Sequence, residues 1–440
     1  MLETLKNAFR NKEIRKKILM TLLLLLVFRL GCYIPVPGLA RQQFETAING
    51  NDFLQLMSGI TGSALANGTL FALGIGPYIN ASIIVQLLTV GIPALERLSK
   101  QGEEGRKRIS NITRIITIIL AIVQSVGIIV LFGNQQGAIR TPLFGSNQIG
   151  ETGALWVAGI YMTIVYTAGS CIVMWLGERI TDYGVGNGIS LIIFVGIIST
   201  GGMTILLKLI ESTSATIGKN LLEILGFVVI AVVLFFLIVF VDLAERKIPV
   251  QYAKQVRGTK MYGGQSSVIP MKITGSGVMP LIFAFAIISF PSMIMSLVPA
   301  WSGANKWWSQ HFASGSVWYV LVLAVLIFVF AFFYSQIQFN PEEVSKSIQQ
   351  NGGFIQGIRP GKPTALYLKK INNRITLFGA IFLTLVAFIP SFVFSLALPN
   401  SGLINVFSTT GLLIVVSVAL EFDKQLQSQI MMKNYKGFLK

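Results

Sequence analysis

Charged side chains are scarce in this chain, and its apolar runs contain almost none. Asp, Glu, Lys and Arg make up 12% of the 440 residues, whereas 53% are hydrophobic. Soluble globular domains carry about 25% charged residues, so the composition excludes an ordinary soluble domain. The chain has only two cysteines, Cys32 and Cys171, and one histidine, His311. Because the cysteines lie in separate apolar runs, no disulfide framework, metal site or cofactor motif is implied.

The apolar runs also lack the groups that catalysis or ion coupling needs. Arg29 is the one Asp, Glu, Lys, Arg or His side chain within them, whereas pumps and transporters place carboxylates or histidines at membrane depth. The sequence has no nucleophile elbow, no zinc-binding HExxH and no phosphate-binding loop, so we expect no enzyme activity. For Arg29 the sequence leaves open a structural role, which includes pairing with Glu45 or Asp52, and a substrate contact.

The chain has ten apolar runs of membrane-spanning length. A hydrocarbon core about 30 Å thick needs about 20 residues of helix, and only an internally bonded backbone is stable there. The sequence therefore predicts an all-α polytopic membrane protein with ten transmembrane helices. The runs are 18–34, 71–91, 115–133, 154–176, 187–207, 224–241, 278–298, 317–339, 376–396 and 403–420.

Basic residues occupy alternate gaps between these runs. Of the 35 lysines and arginines, 29 lie in the N-terminal segment, in every second gap and in the C-terminal tail. Positive charge marks the cytoplasmic side, so both termini are expected in the cytoplasm. The net charge of +17 suits anionic membrane lipids and leaves room for a large acidic or nucleic-acid-containing partner.

Two glycine–proline breaks lie at matching places in the two halves of the chain. Gly74-Ile75-Gly76-Pro77-Tyr78-Ile79 opens the second run, and Gly277-Val278-Met279-Pro280-Leu281-Ile282 opens the seventh. Interrupted spans at corresponding places point to a functional centre between two repeats. With five spans in each half, the repeats would be inverted, and we place the halves at 1–210 and 211–440.

A glycine-rich stretch precedes the first break. It is too rich in small residues for a stable span, so it forms either an external loop or a re-entrant segment shielded by protein. A re-entrant plug needs small residues, because it packs closely and must also leave. We expect a plug at about 58–67, which comprises Ser58, Gly59, Ile60, Thr61, Gly62, Ser63, Ala64, Leu65, Ala66 and Asn67.

Short motifs follow one another in a fixed order along almost the whole chain. They are Tyr33-Ile34-Pro35-Val36-Pro37-Gly38, Gly62-Ser63-Ala64-Leu65, Gly74-Ile75-Gly76-Pro77-Tyr78-Ile79, Ser99-Lys100-Gln101-Gly102-Glu103, Gly105-Arg106, Met174-Trp175-Leu176-Gly177-Glu178, Gly186-Asn187-Gly188-Ile189-Ser190, Asn340-Pro341, Gly357-Ile358-Arg359-Pro360-Gly361 and Leu412-Leu413-Ile414-Val415-Val416. Together they resemble the SecY family, the channel subunit of the bacterial Sec protein translocon. The chain departs from that pattern at Gly76, where the family usually has methionine, at Asn80, where it has a small hydroxyl residue, and at 265–268.

The resemblance implies that the two halves form a clamshell around a central pore. It places isoleucines at the waist of that pore, namely Ile75, Ile79, Ile189, Ile193, Ile282 and Ile414. A hydrophobic constriction excludes ions by dewetting, and it offers no fixed hydrogen-bond pattern, so it suits polypeptides of any sequence. Without the resemblance, ordinary core or lipid-facing isoleucines would explain any one of these positions.

The resemblance also implies a lateral gate, with the second and third spans facing the seventh and eighth. Asn80 and Gln124 are uncharged polar residues within predicted spans of that region. Interhelical hydrogen bonds of about 0.6–2 kcal/mol would hold such a gate shut without locking it. Structural contacts within their own half are the alternative.

Two long basic loops, 242–270 and 340–374, are expected to face the cytoplasm and dock partners. Such loops suit the phosphates of ribosomal RNA, and the resemblance adds the SecA motor ATPase and small membrane subunits like SecE and SecG. Setting the membrane topology is the alternative explanation of their charge. The candidate docking residues are Arg246, Lys247, Lys254, Arg257, Lys260 and Arg359.

The function implied is that of a protein-conducting channel in the bacterial cytoplasmic membrane. It would translocate unfolded preproteins and release hydrophobic segments into lipid, with energy from a cytoplasmic motor or the ribosome. Two other classes remain open from the residues alone. One is a secondary transporter with broken helices, and the other is a membrane-insertion scaffold without a pore.

Overall fold

The computed structural model describes most of the chain. The described residues are 6, 8–41, 58–59, 61–133, 139–144, 146–210, 217–252, 255–257, 260–262, 266–273, 279–297, 303, 307–308, 311–312, 316–397 and 409–437.

Helices dominate the described chain, and each of the ten predicted apolar runs contains a helix. The all-helical character of the prediction is therefore confirmed. The helices are α1 (Lys12–Gly31), α2 (Gly76–Gly91), α3 (Pro93–Ser99), α4 (Glu103–Gly133), α5 (Ser146–Tyr183), α6 (Gly188–Ile210), α7 (Ile217–Leu243), α8 (Met279–Leu297), α9 (Val317–Gln338), α10 (Pro341–Gln350), α11 (Lys362–Ala397) and α12 (Thr409–Gly437).

Five of the described helices are long and apolar enough to cross a membrane, or six if α2 and α3 form one bent span. The bend between α2 and α3 is 105°. It falls at Ile92, whose backbone is extended (φ −111°, ψ 113°) ahead of Pro93. Proline disfavours helical geometry in the residue before it, so the sequence itself ends α2 here.

The two predicted glycine–proline breaks mark the beginnings of helices. Pro77 lies in the first turn of α2, and Pro280 is the second residue of α8. Proline is favoured in a first turn, because the N–H group that it lacks would have no partner within the helix there. Residues 71–75 form turns, so α2 begins five residues later than the predicted run.

The chain divides into two compact units, and the first consists of Met1–Phe227, Ser289–Ser316 and Leu398–Lys440. Within this unit α1 packs on α5 and α6, α4 packs on α2 and α5, and α6 packs on α12. One buried apolar core of this unit comprises Val36, Leu65, Ala72, Leu73, Ala121, Ile139, Ala158, Met162 and Tyr166.

The second unit consists of Val228–Ile288 and Val317–Ala397, and in it α9 and α10 pack on α11. The segments expected to be long loops contain strands, which the sequence analysis missed. They are β1 (Glu245–Tyr252), β2 (Gln255–Arg257), β3 (Lys260–Tyr262), β4 (Ser266–Lys272) and β5 (Gly353–Ile355).

The strand β1 is the centre of a three-stranded antiparallel sheet with the order β4-β1-β5. Ile248 lies opposite Ile269, and Val250 lies opposite both Ser267 and Ile355. Ile248 and Val250 are buried in an apolar cluster with side chains of α10 and α11. The described parts of the basic segments 242–270 and 340–374 are therefore anchored to this sheet and its buried apolar cluster.

Candidate functional site

The predicted plug, residues 58–67, is called the plug segment from here on. Its residues 61–67 form consecutive turns, and Ile60 lies outside the described residues. The Ser63 amide donates to the Ser58 carbonyl oxygen (2.8 Å), and the Thr61 hydroxyl donates to the same carbonyl (3.2 Å). Gly62 and Ser63 both have positive φ angles, 71° and 65°. This conformation is uncommon for a residue with a side chain, so Ser63 is held in it by its surroundings.

The end of α1 contacts one side of the plug segment. Arg29 Nη1 donates a hydrogen bond to the Gly62 carbonyl oxygen (2.8 Å), and Arg29 Nη2 donates to the Tyr33 hydroxyl (2.6 Å). The guanidinium carbon also lies 4.6 Å from the centre of the Tyr33 ring. One turn along, the Cys32 thiol approaches the Thr61 carbonyl oxygen at 3.8 Å. Arg29 thus has a structural contact.

The partners suggested for Arg29 from the sequence, Glu45 and Asp52, lie outside the described residues. The contact found is instead with a backbone carbonyl group of the plug segment. No sequence pattern reports which carbonyl group a guanidinium will reach, so this partner could not be predicted.

The helix α6 contacts the other side of the plug segment. Ser63 Oγ donates to Thr200 Oγ1 at 3.4 Å. Gly62 packs so closely on Gly196 that a Cβ atom added to Gly62 would lie 3.2 Å from the Gly196 Cα atom. Gly196 and Thr200 lie one helical turn apart, and the Thr200 hydroxyl also donates to the Gly196 carbonyl oxygen (3.0 Å). The sequence analysis missed both residues, which lie more than 130 positions along the chain from their partners.

An apolar surface completes the site, and we call it the plug seat (Val36, Ala121, Met162 and Tyr166). Leu65 of the plug segment shares one buried core with these four side chains. The Tyr166 hydroxyl is fully buried and has no hydrogen-bond partner among the described residues. The contact between Leu65 and the plug seat is apolar and non-directional, so separating them breaks no hydrogen bond.

The predicted ring isoleucines are buried or half-buried. Ile75, Ile193 and Ile414 are exposed by only 3%, 3% and 5%, and Ile79, Ile189 and Ile282 are half-buried. By contrast Ile198, on the same helix as Ile193, is 42% exposed. A lipid-facing position therefore fits the three buried residues poorly. Ile282 belongs to the second unit, and the other five belong to the first.

The start of α6, which carries Ile189 and Ile193, is fixed by side-chain caps. Asn187 Oδ1 accepts a hydrogen bond from the Ile189 amide (3.1 Å), and Thr181 Oγ1 accepts one from the Gly188 amide (2.9 Å). These bonds satisfy amide groups that would lack partners at a helix N-terminus. The motif at 186–190 therefore fixes the first residues of α6, and with them the positions of Ile189 and Ile193.

The proposed gate residues lie on neighbouring helices of the first unit. Asn80 on α2 and Gln124 on α4 are both half-buried, and α2 packs on α4. Neither side chain makes a hydrogen bond to another residue in the described ranges. The structure thus leaves both amide groups available.

The basic residues of β1 are exposed, and those of the β2–β3 hairpin lie close together in register. Arg246 and Lys247 are exposed, and Lys247 Nζ lies 3.5 Å from Glu245 Oε1. Arg257 is the pairing partner of Lys260 across the hairpin. Lys254 lies outside the described residues.

Arg359 is an exposed side chain on a fixed backbone. Its carbonyl oxygen accepts a hydrogen bond from Thr364 Oγ1 (2.8 Å), and Ser345 Oγ donates to the Gly361 carbonyl oxygen (2.7 Å). Gly357 and Gly361 have φ angles of 83° and 91°, which favour glycine. The loop therefore presents the Arg359 side chain to solvent.

The basic residues of the gap 92–114 and those of the loop 340–374 differ in how many of them have acidic partners. In the gap 92–114 four of the six basic residues have acidic partners, in the pairs Lys100–Glu96, Lys107–Glu103, Arg108–Glu104 and Arg114–Glu178. The hydrogen bond from Lys100 lowers the pKa of Glu96. Within the described chain, by contrast, Arg359, Lys362, Lys369 and Lys370 are exposed and form no ion pair. Exposed basic residues without acidic partners fit a docking surface better than they fit a role in setting membrane topology alone.

Comparison with known proteins shows the family to which the chain is similar. The SecY family model matches residues 69–422. The chain is 41% identical over 451 residues to the protein translocase subunit SecY of Streptomyces galbus, with 100% of both chains covered.

Two solved structures share the fold. One is described as the structure of a protein conducting channel (TM-score 0.66, 22% identity, covering 94% of this chain and 92% of that one). The other is a SecY protein whose plug domain is described as stabilising the closed state of the translocation channel (TM-score 0.64, 22% identity, the same coverage). At this level of identity the two structures establish the fold alone.

Proposed function

The chain belongs to the SecY family of protein translocase subunits, and we propose that it forms the channel through which unfolded preproteins cross the bacterial cytoplasmic membrane. The role as a translocase subunit follows from the family. Apart from Arg29 the spans contain no charged side chain, which fits a channel that catalyses no reaction itself.

We infer ten transmembrane spans in two inverted halves, 1–210 and 211–440, that close around a pore. A helix in each of the ten apolar runs supports this architecture, and so does the alternation of positive charge between the gaps. By the positive-inside rule both termini and the two basic segments face the cytoplasm.

The observation that carries the proposal is the way the plug segment is held. Among the described residues it is bonded to the end of α1 and to α6 through Thr61, Gly62 and Ser63, and its Leu65 packs on an apolar surface. A segment attached in this way is able to seal a pore and also to leave it. The isoleucine ring, formed by Ile75, Ile79, Ile189, Ile193, Ile282 and Ile414, would supply the second barrier.

We further propose that the lateral gate uses Asn80 and Gln124, whose amide groups have no partner among the described residues and would bond across the gate. The exposed Arg246, Lys247 and Arg359 would dock the SecA motor or the ribosome, with Arg257, Lys260 and Lys254 nearby in the chain. Small subunits like SecE and SecG, preproteins and membrane lipids complete the expected partners.

Crosslinking of a stalled preprotein tests this function. Single cysteines replace Ile75, Ile282 and Ile414 in a chain whose Cys32 and Cys171 are serine. A preprotein with one cysteine is stalled in the channel, and disulfides to all three positions are expected. The matched control is Ile164→Cys, since Ile164 on α5 is 64% exposed and should face lipid.

Equal crosslinking at the control and at the three ring positions would contradict the channel assignment. A secondary transporter would instead exchange a small solute across vesicles without any motor, and no preprotein adduct would form.

A further inference from the structure

The contacts of Arg29 single it out among the basic residues of the chain. It is the one charged side chain in the apolar runs, and it is partly buried. Its guanidinium group bonds to the Gly62 carbonyl oxygen at 2.8 Å. Among the described residues no carboxylate lies within ion-pair distance of it. Within the described chain, its guanidinium group therefore contacts a backbone carbonyl group and an aromatic ring.

Tyr33 orients this guanidinium group. Its hydroxyl accepts a hydrogen bond from Nη2 (2.6 Å), and its ring lies under the guanidinium carbon at 4.6 Å. Arginine presents its N–H groups in a rigid planar fork, so fixing one end with Tyr33 directs the other at Gly62. Tyr33 itself is 55% exposed, and its side chain is not needed to fill a core.

The geometry at Gly62 makes the acceptor specific. The φ angle of 71° there and the close approach to Gly196 leave no room for a side chain. The Gly62 carbonyl group is therefore held between two helices, facing α1, while the neighbouring Ser63 hydroxyl bonds to Thr200 of α6. Separation of α1 from α6 would break one of these two bonds.

We propose that Arg29 is a positioning residue that holds the plug segment closed through the Gly62 carbonyl group, with Tyr33 as the group that aims it. This inference rests on the proposed function, because it assigns a role within the seal. A charge-assisted hydrogen bond is stronger than a neutral one, yet a carbonyl partner leaves no unpaired carboxylate behind when it breaks. The bond from Arg29 therefore holds the segment through a neutral acceptor, and breaking that bond leaves only the Gly62 carbonyl group without its partner.

The test measures the resting ion conductance of the purified translocon complex in planar bilayers. Arg29→Gln is expected to raise the conductance roughly tenfold, as loss of one hydrogen bond to a charged group shifts the closed–open equilibrium. Arg29→Lys, which keeps the charge but loses the fork, should recover part of the seal. Tyr33→Phe should give a smaller rise without loss of folded protein. Arg41→Gln is the matched control, since Arg41 is an exposed arginine beyond the same helix.

A disulfide separates a specific role from general damage. Ser63 Oγ and Thr200 Oγ1 lie 3.4 Å apart, so cysteines are placed at both positions to close a disulfide across this contact. In the Arg29→Gln protein, closing the Ser63→Cys/Thr200→Cys disulfide should return the conductance to the wild-type level, and reduction should raise it again.

Two results would overturn the inference. One is a wild-type conductance in both Arg29→Gln and Tyr33→Phe while deletion of 58–67 makes the channel leak. The other is a leak in Arg29→Gln that persists with the disulfide closed. If deletion of 58–67 causes no leak, the plug of the proposed function fails instead, so the two failures are distinguishable.

Discussion

Arg114 and Glu178 form a two-pronged ion pair that joins α4 to α5. Arg114 Nε lies 2.8 Å from Glu178 Oε1, and Arg114 Nη2 lies 2.8 Å from Glu178 Oε2. The pair brings together a residue of the basic gap 92–114 and the last residue of the motif at 174–178. The Glu178 side chain is 19% exposed and that of Arg114 is 46% exposed, so the pair is partly shielded from water.

Glu178→Gln should lower the free energy of unfolding by about 1 kcal/mol, a value already reduced for solvent screening of the half-exposed arginine. Thermal unfolding of the purified protein in detergent measures it, and the loss should shrink in high salt. Glu104→Gln is the control, because the Arg108–Glu104 pair at 3.0 Å is mostly exposed. An equal change in both variants would mean that the bidentate geometry contributes nothing.

Gly169→Ala should destabilise the protein by about 1–3 kcal/mol, the usual effect of overpacking. A Cβ atom at Gly169 would collide with the backbone carbonyl oxygen of Leu70, just ahead of the turns that lead into Ile75. Gly159→Ala on the same helix is the matched control, since a Cβ atom there meets only Ile129 Cγ2, at 3.6 Å. Unfolding midpoints of the two proteins should differ clearly, and two equal midpoints would refute the steric argument.

Tyr166→Phe should raise the free energy of unfolding by about 1 kcal/mol, because it removes a buried hydroxyl that has no partner among the described residues. The ring that packs with Leu65 is retained. Both a higher unfolding midpoint and a lower resting conductance are expected. Tyr161→Phe, at a residue that is 37% exposed, should leave both quantities unchanged. A lower midpoint for Tyr166→Phe would show that the hydroxyl does have a stabilising partner.

Arg359→Glu should impair motor-driven translocation far more than folding or insertion of the chain. At the proposed docking site the reversal would replace a charge-assisted contact with repulsion, and losing such a contact costs about 2–5 kcal/mol of binding. Exposed charges contribute little to folding, and Arg359 is exposed. Motor affinity and preprotein import are compared in vesicles with matched amounts of channel, with Arg140→Glu as the control. Equal import would return the loop 357–361 to a role in topology alone.

The long helices could be predicted from the sequence, and so could the starts of two of them. Apolar runs of about 20 residues marked every long helix, and Pro77 and Pro280 marked two helix starts. The sheet of the second unit was missed although its signal exists. Buried Ile248 and Val250 alternate with exposed Lys247 and Pro249, but this short pattern lies inside a basic segment that reads as a loop.

The contacts that hold the plug segment could not be predicted from the sequence. The small residues at 58–67 suggested close packing, but the acceptor for Arg29 is a backbone carbonyl group, and Thr200 lies 137 positions from Ser63. Composition reports that a segment is small and flexible. Which distant side chain meets it depends on the packing of α1, α5 and α6, which no local pattern encodes.

Import with the plug segment locked is the most direct test of the account. Vesicles carry the Ser63→Cys/Thr200→Cys channel with Cys32 and Cys171 changed to serine, and preprotein import is measured before and after reduction in the same preparation. In the proposed channel the plug segment rests in the path of the polypeptide, so the oxidised channel should import almost nothing, and reduction should restore the rate of the serine parent. Full import while the disulfide remains closed would contradict a channel sealed by residues 58–67.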